Sequence, residues 1–336
     1  MRALKTLRGP ALLTLASLLA GCSKLVVLNP AGDVAAQQGR LVVMATVLML
    51  LIIVPVIILT LLFAWRYRQN GRRADTDYDP DWHHSTKLEL VIWAAPLVIV
   101  IALGALTWIS THQLDPYRPL DRLAAGKPVP ENVRPLEVQV VALDWKWLFV
   151  LPEQGIATVN ELAAPVDRPI HFKLTSSTTM NAFYVPDLAG MVYTMPGMQT
   201  ELHAVINKPG VFHGISSHYS GTGFSGMSFK FHGVSDQEFA QWVAKAKAEG
   251  QPLTRAAYSE LAKPSERTPV MRFSSVDADL YRRVLNLCVE DGQTCMHEVM
   301  ARDATRNRSH ASALALAAAS EDAMCTAETR KDLQEF

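Results

Sequence analysis

An excess of charge of either sign is missing from this sequence. Its 32 Lys and Arg balance 32 Asp and Glu, so no sustained basic field exists to hold a nucleic-acid backbone. Charge is also thin overall. Charged residues make up 19% of the 336-residue chain and hydrophobic ones 49%, too apolar a balance for a wholly soluble protein. Cysteine is scarce, with four in all: Cys22, Cys288, Cys295 and Cys325. None lies in the Gly-rich stretch SSHYSGTGFSGM (residues 216–227), which excludes thiolate chemistry there.

What is present begins with MRALKTLRGPALLTLASLLAGC: a basic start (Arg2, Lys5, Arg8), a largely apolar run from Ala11 to Ala20, and a small-residue ending. That is a secretory leader. Its close, Leu19-Ala20-Gly21-Cys22, resembles the bacterial lipobox, so residues 1–21 are expected to leave as a lipoprotein signal peptide and Cys22 to be acylated, with palmitate among its chains. The uncharged runs Leu41–Trp65 (25 residues) and Leu90–Ile109 (20 residues) are each long enough to cross a bilayer. Trp93 and Trp108 stand near the ends of the second run, where aromatic rings favour the interface. Arg66, Arg68, Arg72, Arg73 and Lys87 crowd the segment between the runs, against Lys24 and Arg40 ahead of the first. The hairpin loop is therefore expected in the cytoplasm and both ends in the periplasm, as a multi-pass lipoprotein of a bacterial inner membrane.

After a linker over residues 111–134 the apolar pattern changes to period two: Leu136-Val138-Val140, Ile170-Phe172-Leu174, Leu202-Ala204-Ile206 and Phe229-Phe231. Short strands between Pro, Gly and Asn turns predict an all-β Greek-key domain over residues 135–234, following a two-helix membrane hairpin in residues 22–110. SDQEFAQWVAKAKAEG then reads as a helix capped by Ser235 and Glu238, carrying Phe239, Trp242 and Val243 on one face and stopped at Gly250. It opens a helical C-terminal extension over residues 235–336. In an oxidising compartment Cys288 and Cys295 flank a turn and make a candidate disulfide, which leaves Cys325 over. A metal reading of Cys288, Cys295 and His297 has no familiar spacing.

The hairpin, TKLELVIWAAP at the second run, DWKWLFVLPEQGIATVNEL and GISSHYSGTGFSGMSFK together resemble subunit II of the haem–copper respiratory oxidases, over about residues 22–265. The lipobox and PEQGIATVNE point to the quinol-oxidising, cytochrome bo-type branch. The resemblance implies a cupredoxin fold for the β-domain. It also implies a place in a proton-translocating complex of the respiratory chain that oxidises ubiquinol and reduces oxygen, with haems and copper in subunit I and with subunits III and IV as further partners. Relatives that oxidise cytochrome c carry a dicopper centre on a loop of form Cys-x-Glu-x-Cys-Gly-x-x-His-x-x-Met, with a further His in His-x-x-x-Val-Pro. Ser216, His218, Ser220, Phe224 and Met227 occupy the loop positions, and Asn181 of NAFYVP takes the place of the other histidine. Hydroxyls are hard, weak donors where two coppers need bridging thiolates, so no metal and no cytochrome c docking are expected. Gly221, Gly223 and Gly226 are expected to give the loop left-handed backbone freedom.

Other residues invite weighing. Glu89 matches a family glutamate near the mouth of a proton-uptake channel, and an interfacial carboxylate paired with Lys87 is the alternative. Trp145 and Trp147 stand where copper-bearing relatives admit electrons, but packing is the favoured reading here. His83 and His84 read as loop residues, and Asp75, Asp77, Asp79 and Asp81 as a solvated acidic turn without the glycine and glutamate of a calcium loop. Two rivals stay open: a membrane-anchored copper-delivery module using His213, His218, Met227 and His232, and a menaquinol oxidase subunit.

Overall fold

The computed structural model describes residues 25–68 and 83–306. Helix α1 spans Asp33–Arg66 and α2 spans Thr86–Gln113, both longer than the uncharged runs at their centres. At 34 residues α1 is about 51 Å long, against a hydrocarbon layer of about 30 Å. Its surplus is not lost to water. The first turns are small and polar, and Asp33, Val34, Ala35 and Gly39 are buried against the β-domain and the preceding 3-10 turn Val26–Leu28. Ala31 and Gly32 donate to the Asp187 carbonyl at 3.0 and 2.8 Å, Asn207 donates back to Ala31 at 2.9 Å, and Arg122 Nε pairs with the Asp33 carboxylate at 2.9 Å. The central spans of both helices are apolar and largely exposed in this chain alone, as lipid or a partner helix requires.

A short hairpin in the linker, β1 (Arg122–Ala124) and β2 (Lys127–Pro128), precedes two larger sheets. Seven strands order as β10-β7-β3-β4-β5-β14-β13: Thr200–Val205, Pro169–Ser176, Leu136–Leu143, Lys146–Leu151, Ile156–Val159, Met271–Val276 and Gln251–Leu253. Five order as β6-β12-β11-β8-β9: Glu161–Pro165, Ser228–Val234, Gly210–Ser216, Asn181–Tyr184 and Val192–Thr194. The inner faces meet over a core that includes Val138, Val140, Trp147, Phe149, Phe172, Phe183, Phe229 and Phe231. The alternating segments fall where the period-two pattern predicts.

The C-terminal extension carries helices α3 (Asp236–Glu249), α4 (Arg255–Leu261) and α5 (Leu280–Leu285), and it also adds strands β13 and β14 to the larger sheet. Val141, Leu143, Leu148, Val150, Ala157 and Val159 pack beneath it against Tyr258, Leu261, Phe273, Leu280 and Val284. That cover explains why every residue of β4 is buried. Helix α3 starts on the predicted box, with Ser235 and Glu238 capping each other. Gly250 ends it for another reason than a left-handed turn: its φ is −80°, and a Cβ there would stand 2.5 Å from the Ser274 nitrogen.

One carboxylate joins extension to sandwich. Glu161 on β6 lies 3.4 Å from His232 Nε2 on β12 and accepts from Arg272 Nη2 on β14 at 2.8 Å and from Trp242 Nε1 on α3 at 3.4 Å. The His232 imidazole foremost, then Arg272, outweigh burial and hold the carboxyl at about 2 instead of 4.5. The folded-state value is depressed, so the stabilisation is complete above pH 4.5 and disappears as the pH falls towards 2. Its ceiling is about 3 kcal/mol. Glu161→Gln should flatten the stability profile across that window in acid titrations followed by circular dichroism; an unaltered profile would rule the network out as its source.

Candidate functional site

The degenerate loop connects β11 to β12 and passes through a 3-10 turn at Phe224–Gly226. Its ends are backbone-paired, Ser216 N–H donating to the Met227 carbonyl at 3.2 Å. The buried Ser216 hydroxyl meets Asn181 Oδ1 at 3.1 Å, and the His218 carbonyl at 3.2 Å is its other acceptor. The structure thus brings Ser216 and Asn181 together, and a hydrogen bond joins the two positions. Met227 is 2% exposed and belongs to the hydrophobic core, while Phe224 packs edge-on against Tyr219. His218 points its ring at Tyr193, 5.8 Å away. Ser220 has a buried hydroxyl with no hydrogen-bond partner among the described residues. A neutral amide, two hydroxyls, a phenyl ring, a buried thioether and a His218 ring turned onto Tyr193 do not fit the dicopper group that the fold implies: no thiolate can bridge, and neither histidine position holds an imidazole.

Trp145 closes over this loop. It sits in the two-residue turn between β3 and β4 with φ of 63°, a left-handed conformation uncommon for a bulky residue. Its indole Nε1 donates to the Ser220 carbonyl at 3.0 Å. The glycines of the loop answer to this ring more than to backbone freedom. Gly221 alone of the three has a positive φ, 115°, and a Cβ on Gly223 would stand 2.4 Å from Trp145 Cδ2. At Gly226 a Cβ would be 3.1 Å from the flexible Arg267 side chain. Gly223→Ala should therefore cost about 1–3 kcal/mol by displacing the indole, and Gly226→Ala clearly less. Thermal melting of the two variants side by side checks this, and equal losses would contradict it.

A curated relative, the cytochrome bo(3) ubiquinol oxidase subunit 2 of Pseudomonas aeruginosa, is 50% identical over 270 residues, covering 80% of this chain and 78% of its own. The chain belongs to the ubiquinol oxidase subunit 2 family. The ubiquinol oxidase subunit 2 of Acetobacter aceti is 47% identical over 81% of this chain and 85% of its own, and the quinol oxidase subunit 2 of Bacillus cereus 40% identical over 75% and 84%. The profile of the cytochrome c oxidase subunit II periplasmic domain matches residues 143–234, and that of the COX aromatic-rich motif matches residues 247–292. Within this ubiquinol oxidase subunit 2 family, the second profile gives a recognised place to the extension, whose sequence signals weaken after Pro269.

The other predicted residues are scattered. Glu89 lies in the first turn of α2 and pairs with His84 Nδ1 at 2.8 Å, not with Lys87, and both side chains are exposed. Cys288 and Cys295 form a disulfide, and His297 Nδ1 meets Asn286 Oδ1 at 3.1 Å. Cys22, Arg72, Arg73, the acidic run and Cys325 lie outside the described residues. The copper-delivery set does not converge: His213, His218 and His232 form no ligand group among the described residues. Trp147 is core, wholly buried against Phe183 and Phe229. Sequence reasoning passed over Lys146 between the two tryptophans. It is 1% exposed and donates to the Lys263 carbonyl at 2.8 Å and to Ser265 Oγ at 2.5 Å. Burial lowers its pKa against the opposing pull of Asp144. A lysine beside apolar neighbours in a strand was the available signal.

Proposed function

We propose that this chain is the second subunit of a proton-translocating quinol oxidase, anchored by its hairpin and by acyl chains on Cys22, with both ends in the periplasm and its β-domain free of copper. The Ser216–Asn181 hydrogen bond carries the reading, because two positions that hold copper in the cytochrome c-oxidising relatives satisfy each other here. Electrons then enter from ubiquinol within the bilayer, at a haem- and copper-bearing subunit I, and oxygen is reduced to water there. This chain contributes apolar helices for subunit I to pack on, a periplasmic cap, and Glu89 at the cytoplasmic start of α2, where a carboxylate paired with a histidine suits proton uptake. Subunits III and IV complete the assembly. Support for both ends lying on one side comes from the fold itself: the start of α1 and the residues just after α2 line one cavity with the β-domain.

The test is purification of the complex through this chain. Haem-containing preparations that consume oxygen with ubiquinol, and not with reduced cytochrome c, are the expected result. Turnover with cytochrome c, or near-infrared absorption of a mixed-valence dicopper centre, would overturn the reading; activity confined to menaquinol would correct the quinone.

A further inference from the structure

Away from the loop, the edge of the larger sheet places three ligand-type side chains together. Strands β7 and β10 pair antiparallel with His171 directly opposite His203. Glu201 precedes His203 by two residues, so the pleat puts all three on one face. The imidazoles stack with centroids 4.2 Å apart and planes 10° apart, and His171 Nε2 lies 2.9 Å from Glu201 Oε2. One donor atom from each residue falls within 4.8 Å of the others, and no other such group of His, Cys, Asp or Glu occurs among the described residues. We propose that His171, Glu201 and His203 form a binding site for a divalent transition-metal ion, Zn2+ in particular.

The donor chemistry selects the ion. Two imidazole nitrogens and one carboxylate oxygen suit zinc, with water in the fourth position, whereas Mg2+ and Ca2+ prefer oxygen donors throughout. The surroundings suit it as well. The carboxylate is steadied by Gln199 Nε2, which donates to Glu201 Oε1 at 3.3 Å, and Tyr281 on α5 in turn donates to Gln199 Oε1 at 3.4 Å. Lys173, opposite Glu201 in the strand register, is neutralised by Glu137 at 3.0 Å. The ring nitrogens of His203 have no hydrogen-bond partner among the described residues, and His203 also lines a cavity of about 350 Å³ between the domain and the helix ends, an entry path for the ion. Both strands are rigidly paired, so metal binding asks only for side-chain rotation that exchanges the His171–Glu201 hydrogen bond for two coordinate bonds. Because His203 N–H donates to the Pro116 carbonyl at 3.0 Å, an ion here would also tighten the linker leaving α2 onto the sheet edge.

The experiment uses the full chain in detergent, purified through a tag without histidine, stripped with chelator and titrated with ZnCl2 by calorimetry. One equivalent is expected to bind and to remain after desalting. His171→Ala/His203→Ala should weaken binding by about 100-fold or more and Glu201→Gln by about 10-fold, while His213→Ala, exposed on β11, changes nothing. X-ray absorption at the zinc edge of the wild-type protein should show two imidazoles, and it decides the matter even if the double variant does not fold. Absence of stoichiometric binding, wild-type affinity in the double variant, or a shell of oxygen alone would overturn the proposal.

Discussion

Replacing Trp147 with alanine is expected to remove about 3–5 kcal/mol from the unfolding free energy of the β-domain. The side chain is fully buried, and its ring meets Phe183 at 5.4 Å and Phe229 at 5.8 Å in edge-on contacts. Those two rings stack on each other at 5.3 Å and also border Phe149, so the cavity opens in the middle of an aromatic cluster. Trp147→Phe should cost much less than its lost volume suggests. The indole Nε1 is buried without a hydrogen-bond partner among the described residues, so that substitution also removes an unsatisfied donor. Urea unfolding of the detergent-solubilised chain, followed by near-ultraviolet circular dichroism, compares the two. A loss below about 1 kcal/mol for the alanine variant would show that the cluster collapses around the gap.

Gly32→Val should detach the head of α1 from the domain. A Cβ at this position would stand 2.5 Å from the Val205 carbonyl oxygen and 2.8 Å from that of Leu188. Both obstacles are backbone, so neither can rotate away. The expected cost is about 2–3 kcal/mol, concentrated locally. Hydrogen exchange should accelerate at Asn207, whose N–H is held by the Ala31 carbonyl, and at Ala31 and Gly32, held by Asp187. Recovery of the assembled oxidase should fall with it, since Asp33 would lose its position against Arg122. Unchanged exchange at these amides would mean that the contact is dispensable.

Much of the fold was legible because one physical rule governed each stretch. Uncharged length marked the two spans, alternation marked β3, β7, β10 and β12, and Ser235 with Glu238 marked the start of α3. Legibility failed where two rules overlapped. The head of α1 (DVAAQQGR) has no membrane signal, and it is helical because it docks on the domain. Beyond Lys146, strand β4 is apolar on both faces because the extension covers the outer one, a fact held in residues more than a hundred positions away. Aligned motifs placed Ser216 and Asn181 at two ligand positions, but their hydrogen bond needed the folded backbone, and the closure of Trp145 on Gly223 needed a turn whose φ no local pattern announces. His171, Glu201 and His203 show period two within their strands, and only the register of β7 against β10 reveals that they meet.

The pairing of β14 with β5 also sets an order of events during biosynthesis. Ile156–Val159 must wait, one edge unsatisfied, until Met271–Val276 has been exported and folded back. A nascent chain that stalls before that point presents bare backbone donors and acceptors to the crowded periplasm, where another stalled copy can dock by strand addition. Proteolytic surveillance of this protein should therefore act most strongly on late truncations, which carry an almost complete sandwich and lack only its closing strand.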